Sequence, residues 1–252
     1  MMKNKPPKNN KKILVVGDAC RDIFAYCKSD KLCPDIPVPI LNVLYTTEND
    51  GMAKNLQRNI KKLNTTCDIE TNVNWQTVTK MRYMHVDSNH MFMRVDSNED
   101  KIERINVKNL SFNYDLIAIS DYNKGFLEED DIKYICSNHP NVFIDSKRRL
   151  GNWVNGCKFI KINEAEFNAS RLVITKKLFE KIICTTGSNG CSFRNEKFPV
   201  KKIAIGDVSG AGDSFFAGLI YEYLQSGDIK LSIKFANNCA TKVVQSKGVV
   251  SI

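Results

Sequence analysis

The sequence has no apolar run near the roughly 20 residues that a membrane-spanning helix needs. Its start, MMKNKPPKNNKK, is basic and lacks the apolar centre of a signal peptide, so we expect residues 1–12 to form a disordered tail. With only three histidines and no C-x-x-C pair, a zinc site is not expected. The nine cysteines, an odd number with several in apolar segments, are typical of a reduced cytoplasmic protein.

Two common nucleotide-binding patterns are also missing. No G-x-x-x-x-G-K-[ST] loop occurs, and GDACRD does not supply the G-x-G-x-x-G of a dinucleotide fold. The net charge is +9, but the lysines are scattered among acidic and amide residues without interleaved aromatic residues. Nucleic acid is therefore not expected as a partner. A solvated basic surface, or one that attracts a small anionic substrate, explains the charge.

Short apolar runs that end in a polar residue indicate buried strands of a parallel sheet. The runs are ILVVGD, LIAISD, VFID, FIKIN and IICTTG, and their polar ends are Asp18, Asp121, Asp145, Asn163 and Thr185. Helical patterns, for example Leu127 to Cys136, lie between some of them. The alternation predicts an α/β fold, a mostly parallel doubly wound sheet with helices on both faces. Ligands of such sheets bind at the carboxyl ends of the strands, where these polar residues lie.

Two segments depart from this alternation. IPVPILNVLYTTE and VTKMRYMHVDSNHMFMRVD read as extended, and DSNH predicts a hairpin turn in the second. Met81, Met84, Met91 and Met93 make that ribbon too apolar for solvent, so it needs a cover. The cover is substrate, the main body or a second subunit, and packing within one chain is the simplest choice. Near the end of the chain, a last helix is predicted to bury Leu231, Phe235, Cys239, Val243 and Val244.

The segment DVSGAGDSFFAG, from Asp207 to Gly218, combines glycines with two acids directly before a helical pattern. The first amides of a helix lack internal partners, and that end of the helix is positive. Gly210, Ala211 and Gly212 can therefore converge on an anion, while Asp213 can accept a proton from an attacking hydroxyl. A tight turn capped by an acid is the simpler explanation of the same residues.

The same segment resembles the second signature of the ribokinase-like, or PfkB, sugar kinases. Other motifs follow in that family's order: VVGDACRDIF, DGMAKNLQRNI, SDYNKGFL, IDSKRR, NEAE and TTGSNG. The likeness covers nearly all of residues 13–252, which we expect to form one kinase domain of three layers. A small β lid is expected from about 34–48 and 78–96. Within the family, the PDIPVP run and TKMRYMHVDSNHMFMRVD resemble the branch of heptose-7-phosphate kinases most closely.

The resemblance implies transfer of the ATP γ-phosphoryl group to a sugar hydroxyl, in this branch the anomeric hydroxyl of heptose 7-phosphate. It implies Asp213 as the base, with the amides of Gly210, Ala211 and Gly212 as the anion hole. The implied sugar-binding residues are Asp18, Asp22, Gly51 and Asn55, with Lys147 neutralising phosphate. The implied nucleotide-binding residues are Asn163, Thr185, Gly187, Gly190 and Asn237, and Glu166 with Asn163 would organise Mg²⁺ through water. Asp22 as a cap, Lys147 as a solvated lysine and Asn237 as an ordinary helix residue are the alternatives.

The departures from the family leave other functions open. Asp50-Gly51 stands where two glycines are usual, and the chain between Ile60 and Trp75 is shorter, so the fold is expected to be trimmed by about one βα unit. A PfkB kinase for another sugar, or an inactive nucleotide- or sugar-binding relative, therefore stands as the alternative. The resemblance also implies a homodimer that pairs through the lid, in the cytoplasm, with no membrane contact.

Overall fold

The computed structural model describes residues 11–88, 90–201, 203 and 209–245. Residues 1–10, most of the expected tail, lie outside this part, as does Asp207; Lys12 already belongs to the first strand. The strands of the large sheet are β1 Lys12–Gly17, β4 Thr66–Glu70, β7 Leu116–Asp121, β8 Val142–Ser146, β9 Phe159–Asn163, β10 Ile182–Thr185, β11 Cys191–Phe193 and β12 Glu196–Phe198. The strands of a smaller sheet are β2 Ala19–Lys28, β3 Asn42–Met52, β5 Thr79–His85 and β6 Met91–Ser97.

The large sheet has the order β12-β11-β10-β9-β8-β7-β1-β4. The six strands from β10 to β4 are parallel, and β11 and β12 add an antiparallel hairpin at one edge. The central parallel strands β1, β7 and β8 are buried on both faces, which explains their nearly continuous apolar sequences. The predicted mostly parallel sheet is confirmed. β4 forms its other edge, within the segment that the sequence shows to be short.

Helices cover both faces of this sheet, which gives the expected three layers. The helices are α1 Ala53–Lys62, α2 Glu129–Asn138, α3 Glu164–Ser170, α4 Lys176–Phe179, α5 Ala211–Ser226 and α6 Ile229–Val244. One core lies between the sheet and α1, α5 and α6, and it includes Leu56, Phe216 and Ile233. The other core lies beneath α2 and α4, with Ile132 and Leu178. Within the described residues no helix is both long and apolar enough to span a bilayer.

The buried face of α6 agrees only in part with the prediction. Cys239 and Val243 are buried as predicted, but Leu231 is 50% exposed, and Ile233 and Ala236 are buried instead. The reason is a close contact with α5: a Cβ on Gly218 would lie 2.9 Å from the Cys239 sulfur and 3.1 Å from the Ala236 Cα. This contact brings the small side chains of α6 to the interface.

The smaller sheet forms a lid with the order β3-β2-β5-β6. β5 and β6 are the predicted antiparallel hairpin. The strand β2, which begins two residues after β1 ends, lies at the centre of the lid, so the lid is wider than the sequence suggested. Met91 and Met93 are 46% and 49% exposed, so the described chain does not bury them.

Candidate active site

The candidate site lies where the carboxyl ends of the parallel strands meet the amino end of α5. A cavity of about 670 Å³ opens there. Eight of the predicted site residues line it: Lys147, Asn163, Thr185, Gly187, Gly190, Ala211, Gly212 and Asn237. These residues come from five separate segments of the chain. The sheet topology brings them together because β8, β9 and β10 are adjacent and end at the same edge.

Asp213 lies in the first turn of α5, and its side chain is buried. The Asn55 amide donates to one carboxylate oxygen at 2.5 Å, and the Tyr122 hydroxyl donates to the other at 3.2 Å. Burial raises the pKa of Asp213, and the charge of Asp145 adds to this, whereas the bonds from Asn55 and Tyr122 lower it. A carboxylate with a raised pKa is a stronger base, which suits proton abstraction from a hydroxyl.

The amino end of α5 has the form expected of an anion hole. Gly210 is its N-cap with φ of 80°, a left-handed conformation that glycine adopts without strain. Among the described residues, no side chain caps this helix end. The amides of Ala211 and Gly212 therefore lie at a positive helix end beside the cavity.

Lys161 is a site residue that the sequence analysis did not select. It lies on β9 and is 3% exposed, and its ammonium contacts the Asp145 carboxylate at 2.6 Å. A Cβ on Gly212 would be 3.1 Å from this ammonium, so the charge lies directly beside the amino end of α5. The signal in the sequence was a lysine inside an otherwise apolar strand, two residues before Asn163.

Lys147 is not the freely solvated lysine of the alternative interpretation. Its ammonium contacts Glu166 at 2.6 Å and Asp145 at 3.8 Å. Although burial lowers the pKa of Lys147, the charges of Asp145 and Glu166 raise it overall. Together with Lys161 it places two cations at the cavity wall. Such an arrangement can neutralise an anion in the cavity.

Asn163 and Glu166 form a capping box at the start of α3. The Asn163 side chain accepts from the Glu166 amide, and the Glu166 carboxylate accepts from the Asn163 amide, both at 2.8 Å. In the part of the chain described, no group of three or more His, Cys, Asp or Glu side chains could hold a metal by itself. Mg²⁺ is commonly held by substrate phosphates and water with only one or two carboxylates. A single carboxylate, Glu166, beside the cavity fits that mode.

The turn after β10 brings Thr185, Gly187 and Gly190 to the cavity. Gly187 and Gly190 both have positive φ, of 58° and 86°. A Cβ on Gly190 would lie 2.1 Å from the Phe198 carbonyl oxygen, so only glycine fits there. The Asn237 amide donates to the same carbonyl at 2.9 Å. Asn237 thus lines the cavity but also fixes the end of β12.

The structure does not support the prediction that Asp18 binds sugar hydroxyls. Its side chain is fully buried. One carboxylate oxygen accepts from the Tyr122 amide at 2.7 Å, and the other accepts from the amides of Lys124 and Phe126, both at 3.2 Å. Burial raises the pKa of Asp18, the charge of Asp121 raises it further, and the three amides lower it. Asp18 therefore holds the loop after β7.

The other predicted sugar-binding residues lie at the root of the lid. Asp22 forms an ion pair with Arg82 of β5, a partner that the sequence analysis missed. A Cβ on Gly51 would lie 2.6 Å from the Cys20 sulfur, which explains the need for glycine. The residue with unusual backbone is the next one, Met52, with φ of 55°. The conformational cost therefore falls on Met52 rather than on Asp50, the residue that departs from the family pattern.

The fold is that of the ribokinase-like proteins. A nucleoside kinase of Methanocaldococcus jannaschii, described as an archaeal member of the ribokinase family, has a TM-score of 0.70 and 17% identity over 95% of this chain and 93% of its own. Thermotoga maritima ribokinase has a TM-score of 0.71 and 15% identity over 94% of each chain. Arabidopsis thaliana ribokinase, solved with ribose and ATP, has a TM-score of 0.69 and 15% identity over 95% of this chain and 94% of its own. At these identities the likeness establishes the fold.

A sequence profile of the pfkB family carbohydrate kinases matches residues 49–252. The chain belongs to this family and is therefore a kinase of the phosphotransferase class. Among curated relatives, the bifunctional protein HldE of Helicobacter pylori strain J99 is 27% identical over 294 residues, which cover 94% of this chain and 64% of that protein. HldE of a Nitratiruptor species is 27% identical over 290 residues, covering 94% and 62%. The chain spans less than two thirds of the length of these relatives.

Proposed function

We propose that this chain transfers the γ-phosphoryl group of ATP to a hydroxyl of a sugar phosphate, and that the acceptor is the anomeric hydroxyl of heptose 7-phosphate. The observation that carries the proposal is the place of Asp213, which is buried in the first turn of α5 directly after Gly212, a residue of the cavity wall. A base and an anion hole within one helical turn are what an in-line phosphoryl transfer requires. The heptose acceptor is supported by the resemblance of the lid segments and by the HldE relatives.

Asp213 would accept the proton of the acceptor hydroxyl as the phosphoryl group arrives. The amides of Ala211 and Gly212 would hold the charge that develops on the transferred group, each donor contributing about 3 kcal/mol. Lys161 and Lys147 would neutralise the same charge from the cavity wall. Thr185, Gly187 and Gly190 would flank the nucleotide phosphates, and Asn237 would lie on the side of the base.

A phosphate-bearing acceptor is supported by two lysines near the site. Lys80 and Lys124 both contact the single carboxylate of Glu99. The Lys80 ammonium lies 5.4 Å from the centroid of the Tyr122 ring, and the Tyr122 hydroxyl reaches Asp213. In the proposed arrangement both ammonium groups lie on the sugar side of Asp213, where they would attract the phosphate of an anionic acceptor. Asp22, Gly51 and Asn55 would position the sugar ring.

Mg²⁺ would be held chiefly by the nucleotide phosphates, with Glu166 and Asn163 contacting it through water. It would supply charge neutralisation on the phosphoryl oxygens. Because the Glu166 carboxylate already accepts from Lys147 and Asn163, an outer position fits it better than direct coordination. Asp18 is not part of the proposed contact set, since its oxygens are bonded to backbone amides.

An ADP-release assay with magnesium-ATP over a panel of sugar phosphates tests the proposal. We expect turnover with heptose 7-phosphate, and a loss of about 10²- to 10⁴-fold in kcat in Asp213→Asn. The matched control is Asp130→Asn, which removes an exposed carboxylate of α2 that pairs with Lys133 and should keep full activity. Turnover with another sugar phosphate alone would reassign the acceptor. Silence across the panel with ATP still bound would identify an inactive relative.

We also propose that the protein is a homodimer that pairs through the lid. The lid exposes a group of apolar side chains that the described chain leaves uncovered: Val43, Leu44, Tyr45, Met91, Met93 and Val95, each 38–49% exposed. Apolar patches of this kind mark protein interfaces. Sedimentation equilibrium should give a dimer that dissociates in Met93→Glu, while Leu172→Glu, at a lone residue 91% exposed, should change nothing. A wild-type monomer would reject the proposal.

The cytoplasm is the proposed compartment, since all nine cysteines are free thiols. Fractionation of cells that express the chain, with the thiols counted by alkylation, tests this.

A further inference from the structure

Tyr122, in the SDYNKG segment, contacts the proposed base directly. Its hydroxyl donates to the Asp213 oxygen that Asn55 does not reach, so each carboxylate oxygen has one donor from a different part of the fold. Asn55 comes from α1, and Tyr122 directly follows β7. A carboxylate held at both oxygens cannot rotate without breaking one bond. Nothing in the signature around Asp213 indicates this second donor.

The main chain fixes the place of Tyr122 itself. The Asp18 carboxylate accepts from the amides of Tyr122, Lys124 and Phe126, so it holds three residues of one loop at the end of β1. Asp18 is fully buried, and its own carbonyl accepts from the Ala53 amide at 3.0 Å. The Tyr122 backbone is thereby tied to the centre of the large sheet. The anchored loop fixes the backbone of Tyr122, from which the side chain reaches Asp213.

We propose that Tyr122 is a positioning residue for the phosphoryl transfer, which fixes the rotation of the Asp213 carboxylate and stabilises its anion by hydrogen bonding, with Asp18 as the anchor of the Tyr122 loop. This inference rests on the proposed function, in which Asp213 is the base. Tyr122 is assigned no contact with substrate.

The groups that face Asp213 come from every element around it. They are Asn55 of α1, Tyr122 after β7, Asp145 of β8, Lys147 after β8 and Lys161 of β9. Burial and Asp145 raise the pKa of Asp213, whereas Asn55, Lys161 and Tyr122 lower it. Loss of the Tyr122 hydroxyl removes one lowering contribution and leaves the others in place. The pKa of Asp213 should therefore rise in Tyr122→Phe.

The test compares Tyr122→Phe with wild type by titrating Asp213 with carboxyl ¹³C NMR, using Asp213→Asn to assign its signal. A hydrogen bond to a charged group is worth about 1.5–3 kcal/mol, so we expect the pKa of Asp213 to rise by about one unit. The acid limb of the kcat profile should move up by the same amount, and kcat on the plateau should fall about tenfold. The KM values for both substrates should stay unchanged.

Tyr114→Phe is the matched control. Its hydroxyl also donates to a carboxylate, Asp68 at 3.0 Å, but it lies before the start of β7, at the opposite end from the site. It should change neither the Asp213 titration nor the kcat profile. Incorporation of 3-fluorotyrosine at all eight tyrosines gives a stronger donor, so the pKa of Asp213 should fall in wild type and not in Tyr122→Phe.

An Asp213 titration that is the same in wild type and Tyr122→Phe would overturn the inference, as would an equal shift in Tyr114→Phe. The titration needs no substrate. If wild type turned over no sugar phosphate, the proposed function would fail, while a shifted titration would still establish the Tyr122 bond to Asp213. A normal wild-type enzyme with an unshifted Tyr122→Phe would leave the function standing and reject the role of Tyr122.

Discussion

The Lys161 ammonium and the Asp145 carboxylate form a 2.6 Å ion pair on the adjacent strands β9 and β8, with 4% and 7% of the two side chains exposed. Desolvating two charges is expensive, so such a pair adds little net stability, yet its disruption is strongly destabilising. The pair also places a cation beside Gly212, in the proposed anion hole. The pair therefore costs stability at the position where Lys161 faces the cavity.

Lys161→Met should lower the free energy of unfolding by about 3 kcal/mol, because it leaves Asp145 buried without its close partner. Kinase turnover should also fall, since one cation of the cavity wall is lost. In Lys161→Met with Asp145→Asn, stability should largely return and activity should not. Urea unfolding and the ADP-release assay measure the two effects. Recovery of both together would show that Lys161 acts only through the fold.

Asp213→Asn should make the protein more stable at neutral pH. Burial raises the pKa of Asp213, so its contribution to stability is present at low pH and is lost as the pH rises through the folded pKa. At pH 7 the wild type must keep the buried Asp213 carboxylate ionised, and the amide variant need not. This costs the wild type about 1.4 kcal/mol for each unit by which the folded pKa exceeds the unfolded one. The urea midpoint of the variant should therefore be higher at pH 7 and approach that of wild type near pH 4, about the ordinary pKa of aspartate.

This comparison isolates Asp213, because Asp18, which also has a raised pKa, is present in both proteins. A variant less stable than wild type at pH 7 would show that the bonds from Asn55 and Tyr122 outweigh burial.

Alanine should be tolerated unequally at Gly187 and Gly190, the two glycines of the turn after β10. At Gly190 a Cβ would meet the Phe198 carbonyl oxygen at 2.1 Å and φ is 86°, whereas at Gly187 φ is 58° and nothing lies within 4 Å. We expect Gly187→Ala to cost about 1 kcal/mol and Gly190→Ala more than about 2 kcal/mol of unfolding free energy. Thermal and urea unfolding measure the loss of unfolding free energy in each of the two variants. Equal costs would mean that the turn relaxes away from Phe198.

The thiol of Cys136 should react faster because Cys157 is its neighbour. The two sulfur atoms are 3.4 Å apart, and the hydrogen bond from Cys157 lowers the pKa of Cys136, with help from the charge of Lys181. Cys157→Ala removes that donor, so the pKa of Cys136 should rise and its alkylation by iodoacetamide at pH 7 should slow several-fold. Peptide mass spectrometry follows the rate, with Cys33 as the internal control. An unchanged rate at Cys136 would contradict the contact.

Much of the fold follows from local sequence patterns. The buried strands and the hairpin of β5 and β6 were predicted because apolar runs and period-two alternation reflect how many faces of a strand are covered. The prediction for α6 was wrong at Leu231, because several faces of that helix carry apolar residues. The choice among them depends on Gly218 of α5, a contact between helices that no local pattern contains.

The site was predictable where a motif is contiguous and not where distant residues meet. Gly210 to Asp213 lie in one turn, so their chemistry could be argued from spacing alone. The bond between Asp18 and the Tyr122 amide joins residues 104 apart, and that between Tyr122 and Asp213 joins residues 91 apart. From the sequence alone, an acid at the end of a strand can equally well bind a ligand or accept hydrogen bonds from the backbone amides of a loop. Only the three amides around Asp18 distinguish the two.

The junction between β1 and β2 has a consequence for protein engineering. Gly17 ends one strand, Ala19 begins the other, and neighbouring residues pin both: Thr71 donates to the Gly17 carbonyl at 2.7 Å and Asn72 accepts from the Ala19 amide at 2.8 Å. A chimera that grafted a foreign lid onto this body would have to keep these crossover residues together with Asp18. A splice placed there would release the loop that carries Tyr122, so under the proposed role of Tyr122 an exchange of the lid would also lower turnover.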